Sequence, residues 1–312
     1  MFKLNRTQRV CQIGSMKIGG QPGENPPLLI SSMFHNGDKN LESRKERKFN
    51  RDKAKDYVLK MEELSAQSGV PALVALVATS LDEMKAYIDF FLSISDQPFG
   101  IDMWVEKTRL EVAEHIAELG IQDRVLYNSI TPWDKDIPGQ VARLKELGIK
   151  HIVVQAYNPE DPSPRGRVGG VQKMFETIKE DDFESVLIDA AVMNLPSTAF
   201  SCVASRLVKE EFGWPTGVAS SNGTYMWKEA KEMWGSDGFN AMNAAGQAIA
   251  SLLWADLLFS GPIVNIPKIM PAIATASLIL TTLAYDETGS LPAGENHPIR
   301  KFFGDFVKQL GQ

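Results

Sequence analysis

The chain has 312 residues, 44% of them apolar, a length that admits one β/α barrel of about 250 residues with modest additions. A formal net charge of −6 and a pI near 5.4 argue against a nucleic-acid binder, which needs a basic stripe to neutralise phosphates. No Ser/Pro/Gly-rich linker divides the chain, and two cysteines without a CxxC pair exclude a disulfide scaffold.

The segment after Met1 lacks a long apolar stretch, so no signal peptide is expected and a cytoplasmic location is. Val10 to Gly20 reads as a hairpin turning at Gly14-Ser15. From Pro27 onward strand and helix patterns alternate. Strands are expected at Pro27–Phe34, Pro71–Ala78, Phe99–Trp104, Arg124–Ser129, His151–Ala156, Ser185–Val192, Pro215–Ser220 and Asp256–Ser260. Helices are expected at Asp52–Gln67, from Ser80 to Phe91 behind a Ser80/Glu83 capping box, and at Lys107–Leu119. Further helices are expected at Thr198–Phe212, Gln247–Trp254, Ile269–Tyr285 and Ile299–Leu310. Leu119-Gly120-Ile121 and Leu147-Gly148-Ile149 repeat one joint, a helix stopped on a left-handed glycine before an apolar strand.

Eight alternating units without a glycine-rich dinucleotide loop predict an α/β fold, a TIM (β/α)8 barrel with a short N-terminal hairpin. One domain is expected over 1–312: a hairpin cap over 1–26, the barrel over 27–298 and a C-terminal helix over 299–312. Three long post-strand segments are expected to overhang the mouth as loops: Phe34–Asn50, Asn158–Gly170 and the aromatic Ser221–Gly246. The apolar run Ile269–Leu283 carries Pro271, Thr275 and Ser277, which predicts a buried helix rather than a membrane span.

Several strand runs end on polar residues: Asp102, Asn128, Asp189 and Asn222. In a parallel barrel the carboxyl ends of the strands meet at one mouth, where such residues form a site. A carboxylate accepts from adjacent N–H donors of an amino-pyrimidinone edge, and a carboxamide meets ring nitrogens in either protonation state. Arg109 or Lys107 is the alternative, structural partner for Asp102, because an unpaired buried charge is costly. For Asn222, followed by Gly223, a turn role stands beside the ligand role. His35, His115, His151 and His297 show no zinc spacing, so no metal is expected, and no GxSxG elbow appears.

The strings Ile18-Gly-Gly-Gln-Pro-Gly-Glu24, Ile101-Asp102, Tyr127-Asn128-Ser129-Ile130, Ala156-Tyr-Asn-Pro159, Leu187-Ile-Asp189 and Gly261-Pro-Ile263 carry a resemblance. Together they resemble the MtrH family, the MtrH subunits of tetrahydromethanopterin S-methyltransferase, across nearly the whole chain. Within it the chain resembles the free-standing methylcorrinoid:tetrahydrofolate methyltransferases of glycine betaine demethylation. The resemblance implies a barrel that moves a methyl group from a methylated corrinoid (cobalamin) to N5 of tetrahydrofolate. It implies that Asp102, Asn128 and Asp189 hold the pterin, with Gln155, Asn158 and Ser220 as further binding residues, and that Asn222 is the catalytic residue at N5. No DxHxxG segment holds the corrinoid, so a separate corrinoid-binding protein is the expected partner, docking at the Tyr225–Trp234 segment. A homodimer is also expected.

The sequence departs from the methanogen pattern at Ser220–Gly238 and at Val264-Asn265, which leaves the pterin tail open. The alternatives are a tetrahydromethanopterin-dependent methyltransferase component, a non-catalytic pterin-binding component of a larger complex, and a dihydropteroate synthase-like transferase needing a diphosphate site.

Overall fold

In a computed structural model describing residues 1–311, eight parallel strands form one sheet. They are β3 (Leu28–Met33), β6 (Ala72–Val77), β7 (Phe99–Asp102), β8 (Val125–Ile130), β9 (His151–Gln155), β10 (Ser185–Asp189), β11 (Thr216–Gly217) and β12 (Leu257–Pro262). The order is β11-β10-β9-β8-β7-β6-β3-β12. Val218 bridges Leu258 in parallel, and the Val218 N–H donates to Leu257 O at 3.1 Å, closing the sheet into a barrel. Gly217 sits on this seam, where a Cβ would collide with the Leu257 carbonyl, so the backbones meet only through glycine. The (β/α)8 barrel with an N-terminal hairpin is the fold observed.

The hairpin pairs β1 (Val10–Ile13) with β2 (Met16–Gly19) in the expected register around Gly14-Ser15. It covers the amino-terminal end of the barrel: Gln12 O accepts from Ser185 Oγ at 3.3 Å, and Gly19 abuts Pro215. At this same end Lys209 donates to both oxygens of Asp256, at 2.5 and 2.6 Å, and to Gly20 O at 3.0 Å. The Thr216 N–H adds a further bond to Asp256, at 3.1 Å, so this buried pair is fully partnered.

Capping chemistry behaves as its residues dictate. Ser80 Oγ accepts from Glu83 N at 3.3 Å at the head of α2 (Leu81–Leu92), while the Glu83 carboxylate takes Thr79 N and Oγ1. Gly120 ends α3 (Glu106–Leu119) with φ +68°, and Gly148 follows α4 (Ile137–Glu146) with φ +70°.

Four expectations fail in whole or in part. The seventh strand is only Thr216–Gly217, and Ser220 opens a short helix, α7 (Ser220–Met226), instead of ending a strand. Ser221–Gly246 is not a loop: it is the rest of α7 and most of α8 (Glu229–Leu252), which kinks at Gly235. Asn158–Gly170 is a loop only to Ser163, after which α5 runs Pro164–Thr177. The Phe34–Asn50 segment folds in part as the small hairpin of β4 (Leu41–Ser43) and β5 (Lys48–Phe49), ahead of α1 (Arg51–Ser68).

The last elements are α6 (Thr198–Phe212), α9 (Ile266–Thr288) and α10 (Pro298–Leu310). Helix α9 has the length and mean hydropathy, 1.6 with its flanking turn, of a membrane span. Here its Ile266, Ile269, Met270 and Ile273 are buried in the core, and it packs against α1 and α8 as a barrel helix.

Candidate functional site

A cavity of about 610 Å³ opens at the carboxyl ends of the strands. Its two sides differ in chemistry. Asp102, Asn128, Gln155 and Asp189 come from β7, β8, β9 and β10. Ile30, Ala75, Val77 and Phe259 come from β3, β6 and β12. Register places Asp102 opposite Asn128 and Gln155 opposite Asp189, so the polar groups stand in adjacent pairs along one wall. The register of β8 against β9 shifts between Asn128 and Ile130, where the Asn128–Ser129 peptide is cis. A polar wall facing an apolar one suits a flat ring with one hydrogen-bonding edge.

Neither wall carboxylate has a cation within ion-pair distance among the described residues. Arg109, an expected partner of Asp102, is committed elsewhere. Its Nε donates to Tyr127 Oη at 3.0 Å, Nη1 to Met103 O at 2.8 Å and Nη2 to Asp134 Oδ2 at 2.6 Å. Because Tyr127 accepts from Arg109, its own proton goes to Gln140, whose amide oxygen accepts at 3.0 Å once turned toward it. Lys107, the other expected partner, reaches Glu111 at 3.9 Å on the surface. Arg167, buried on α5, donates Nε to Ala190 O at 2.9 Å and a second nitrogen to Ala191 O at 3.4 Å. It thereby fixes the turn after Asp189, whose Oδ1 accepts from Ala191 N at 3.0 Å.

The consequence is electrostatic. Burial pushes the Asp102 carboxyl up to about 6, against the pull of Arg109. Burial pushes Asp189 to about 6 as well, opposed by the Ala191 N–H, the Gln155 amide and Arg167, and reinforced by Asp102. Two raised carboxylates stand on one wall, on β7 and β10 with β8 and β9 between them, and neither is given a cation among the described residues.

Asn222 lines the same cavity, from the first turn of α7 rather than from a strand end. Its backbone N–H donates to Ala219 O at 2.9 Å, and the residue is exposed at the cavity. Helix α7 sits close because Gly223 packs on the Asn194-Leu195 backbone and Gly261 leaves room for Ser221 Oγ. Two expected residues lie elsewhere. Asn158 does not line the cavity; its Oδ1 accepts from Glu160 N at 3.0 Å, closing an Asx turn. Ser220 is buried behind the wall, and Ser221 takes its place on the cavity surface.

Trp104 and Arg167 are not among the expected site residues, and Tyr225, expected only in the docking segment, lines the cavity. Trp104 is 83% exposed on the rim two residues past Asp102, and a tryptophan just after a strand-end carboxylate was the available signal. His35 also lines the cavity, and burial lowers its pKa while Asp38 opposes that. Among the described residues no three His, Cys, Asp or Glu side chains gather to hold a metal.

Fold and site together define a strand-end ligand barrel. The dihydropteroate synthase of Yersinia pestis shares the fold, with a TM-score of 0.56 at 14% identity over 86% of this chain and 98% of that one. The Coxiella burnetii synthase, solved with pteroic acid, gives a TM-score of 0.55 at 11% identity over 88% and 99%. In sequence, the family described as tetrahydromethanopterin S-methyltransferase MtrH subunit matches residues 6–290. The MtrH protein of that enzyme from Methanothermobacter thermautotrophicus is 30% identical, covering 96% of this chain and 99% of the relative. Its Methanopyrus kandleri counterpart is 29% identical over 94% and 97%. This chain belongs to the MtrH family.

Proposed function

We propose that this chain is a methyltransferase that transfers a methyl group between a corrinoid, carried by a separate protein, and N5 of a tetrahydropterin held in the strand-end cup. The observation that carries the reading is the two buried carboxylates without an ion-pair partner, Asp102 and Asp189, beside the Asn128 and Gln155 amides. Ionised, they accept from the amino-pyrimidinone edge, while Ile30, Ala75 and Val77 face the ring.

In the forward direction the N5 lone pair attacks the methyl carbon, and the carbon–cobalt bonding pair stays on cobalt, which leaves as Co(I). N5 then releases its proton to solvent. No protein nucleophile enters, so the chain contributes orientation, worth about 7–11 kcal/mol at the limit. Asn222 places and polarises N5 from α7. The exposed rim residues Trp104 and Trp133, with Trp234 on α8, support a docking face for the corrinoid protein, since aromatics are enriched at interfaces. The exposed apolar face of Phe302, Phe303 and Phe306 on α10 supports a homodimer.

The relatives carry tetrahydromethanopterin in their names, which favours that pterin over the tetrahydrofolate put first by the sequence reading. Tetrahydrofolate remains a second reading, because the aromatic stretch with Tyr225, Trp227 and Trp234 departs from the methanogen pattern. The test is anaerobic: purified protein, methylcobalamin and either tetrahydropterin, followed by the Co(I) spectrum and by methyl-tetrahydropterin. Both products together support transfer. Pterin binding with no product, even with a methylated corrinoid protein added, identifies a non-catalytic binding component.

A further inference from the structure

A second cavity, of about 670 Å³, adjoins the cup and shares His35, Gly37, Tyr225 and Pro262 with it. It runs between the start of α1, the α7–α8 junction and the β12–α9 connection. Five lysines line it: Lys39, Lys53, Lys228, Lys231 and Lys268. None of the five has an ion-pair partner among the described residues, where Lys48, Lys60, Lys145, Lys150 and Lys209 all have one. The one carboxylate in the lining, Asp38, already accepts from Phe34 N at 2.8 Å and Asn40 N at 2.9 Å. Asn40 is only 2% exposed, and both atoms of its amide group, in the same lining, lack a hydrogen-bond partner. A buried amide without partners is costly, which points to a ligand rather than to packing. In a chain of net charge −6, five unpaired ammonium groups in one groove are a local reversal of sign.

We propose that this groove binds the anionic tail of the tetrahydropterin. The inference rests on the pterin reading of the cup. A ring whose pyrimidine edge meets Asp102, Asn128 and Asp189 turns its opposite edge, which bears N5 and the aryl side arm, toward Asn222 and Tyr225. The arm then leaves the cup past Tyr225, whose ring packs against Phe239 at 5.0 Å and whose hydroxyl accepts from Asn265 Nδ2 at 2.9 Å. The tail beyond the aryl group enters the lysine groove, where the ammonium groups answer its charge. The shared chemistry is a flexible tail with several negative charges, either γ-linked glutamate carboxylates or a phosphate ester with carboxylates. Tail charge then sets which pterin the chain prefers, while the cup reads only the ring.

The test is anaerobic titration of tetrahydropteroyl monoglutamate, tetrahydropteroyl pentaglutamate and tetrahydromethanopterin. Wild type is compared with a Lys231→Gln/Lys268→Gln double variant at low and high salt, with the melting temperature read alongside. We expect pentaglutamate or tetrahydromethanopterin to bind wild type about tenfold more tightly than monoglutamate, the sum of several modest charge pairs. The double variant and high salt bring that ratio close to one. An advantage confined to tetrahydromethanopterin assigns the groove to phosphate; one confined to pentaglutamate assigns it to glutamates. A ratio that survives in the double variant overturns the groove, and so does a wild-type ratio of one for both tails. Failure of wild type to bind any of the three overturns the pterin reading of the cup and this proposal with it.

Discussion

The two ends of the barrel treat buried carboxylates in opposite ways. At the amino-terminal end Asp256 receives both an ammonium group and a backbone N–H, and its charge is answered within the fold. At the carboxyl end Asp102 and Asp189 stand on the same wall, with two strands between them and no cation, and the nearby arginines are tied to other groups. Burial is common to all three residues, so burial alone does not separate structure from function. What separates them is whether the protein supplies the partner. An unpartnered charge held in place by the fold is a site waiting for a donor.

The contrast is broken most forcefully at the structural end. Lys209→Met leaves Asp256 charged and unpaired, and about 3–5 kcal/mol of stability should be lost. Thermal or denaturant unfolding checks this; a change within error would remove Asp256 from its structural role. At the mouth, Asn222→Ala should lower turnover on the order of 10²-fold while pterin affinity changes little, as single-turnover and binding measurements would reveal. Asp189→Ala and Asp102→Ala should each weaken pterin binding by about 1.5–3 kcal/mol, the range for hydrogen bonds to charged groups, with the fold intact.

The mouth carboxylates also set a pH dependence. Folding raises both mouth carboxyls from 3.8 to about 6, so the native state binds protons more tightly than the unfolded chain does. Their contribution to stability is present below pH 3.8 and is lost as pH rises through about 6. Pterin affinity has the opposite sign, since it needs the ionised form: it should fall as pH drops through about 6. Asp189→Asn should flatten both trends, and parallel melting and binding series across roughly pH 4–8 would sharpen or blunt the comparison.

Much of the barrel was legible because its strands are apolar runs closed by turn residues and its helices stop on glycines such as Gly120 and Gly148. The walls of the cup were legible too, since Asp102, Asn128 and Asp189 interrupt apolar runs at a fixed place in the repeat. The greater part of helix α8, ahead of the Gln247–Leu252 end that was read as helical, was not, for a physical reason. Its inward stripe is polar, with Asn243, Gln247 and Ser251 buried at four-residue spacing, while Ile249 is 53% exposed, so no apolar period exists to read. Gly235 and Gly238 weaken its propensity further, and packing against α9 holds it. Helix α5 was hidden in the same way, by Gly166, Gly169 and Gly170 and by Arg167 on its buried side. The place of Asn222 depended on β11 being two residues long, which closure over Gly217 decides and local sequence does not.

The most direct test of the central claim is an anaerobic binding titration of tetrahydromethanopterin and tetrahydrofolate against wild type, Asp102→Ala and Asp189→Ala. The account predicts that at least one pterin binds wild type and that each variant binds it at least about tenfold more weakly, with no loss in melting temperature. Equal affinity in all three proteins, or no binding of either pterin to wild type, would contradict it.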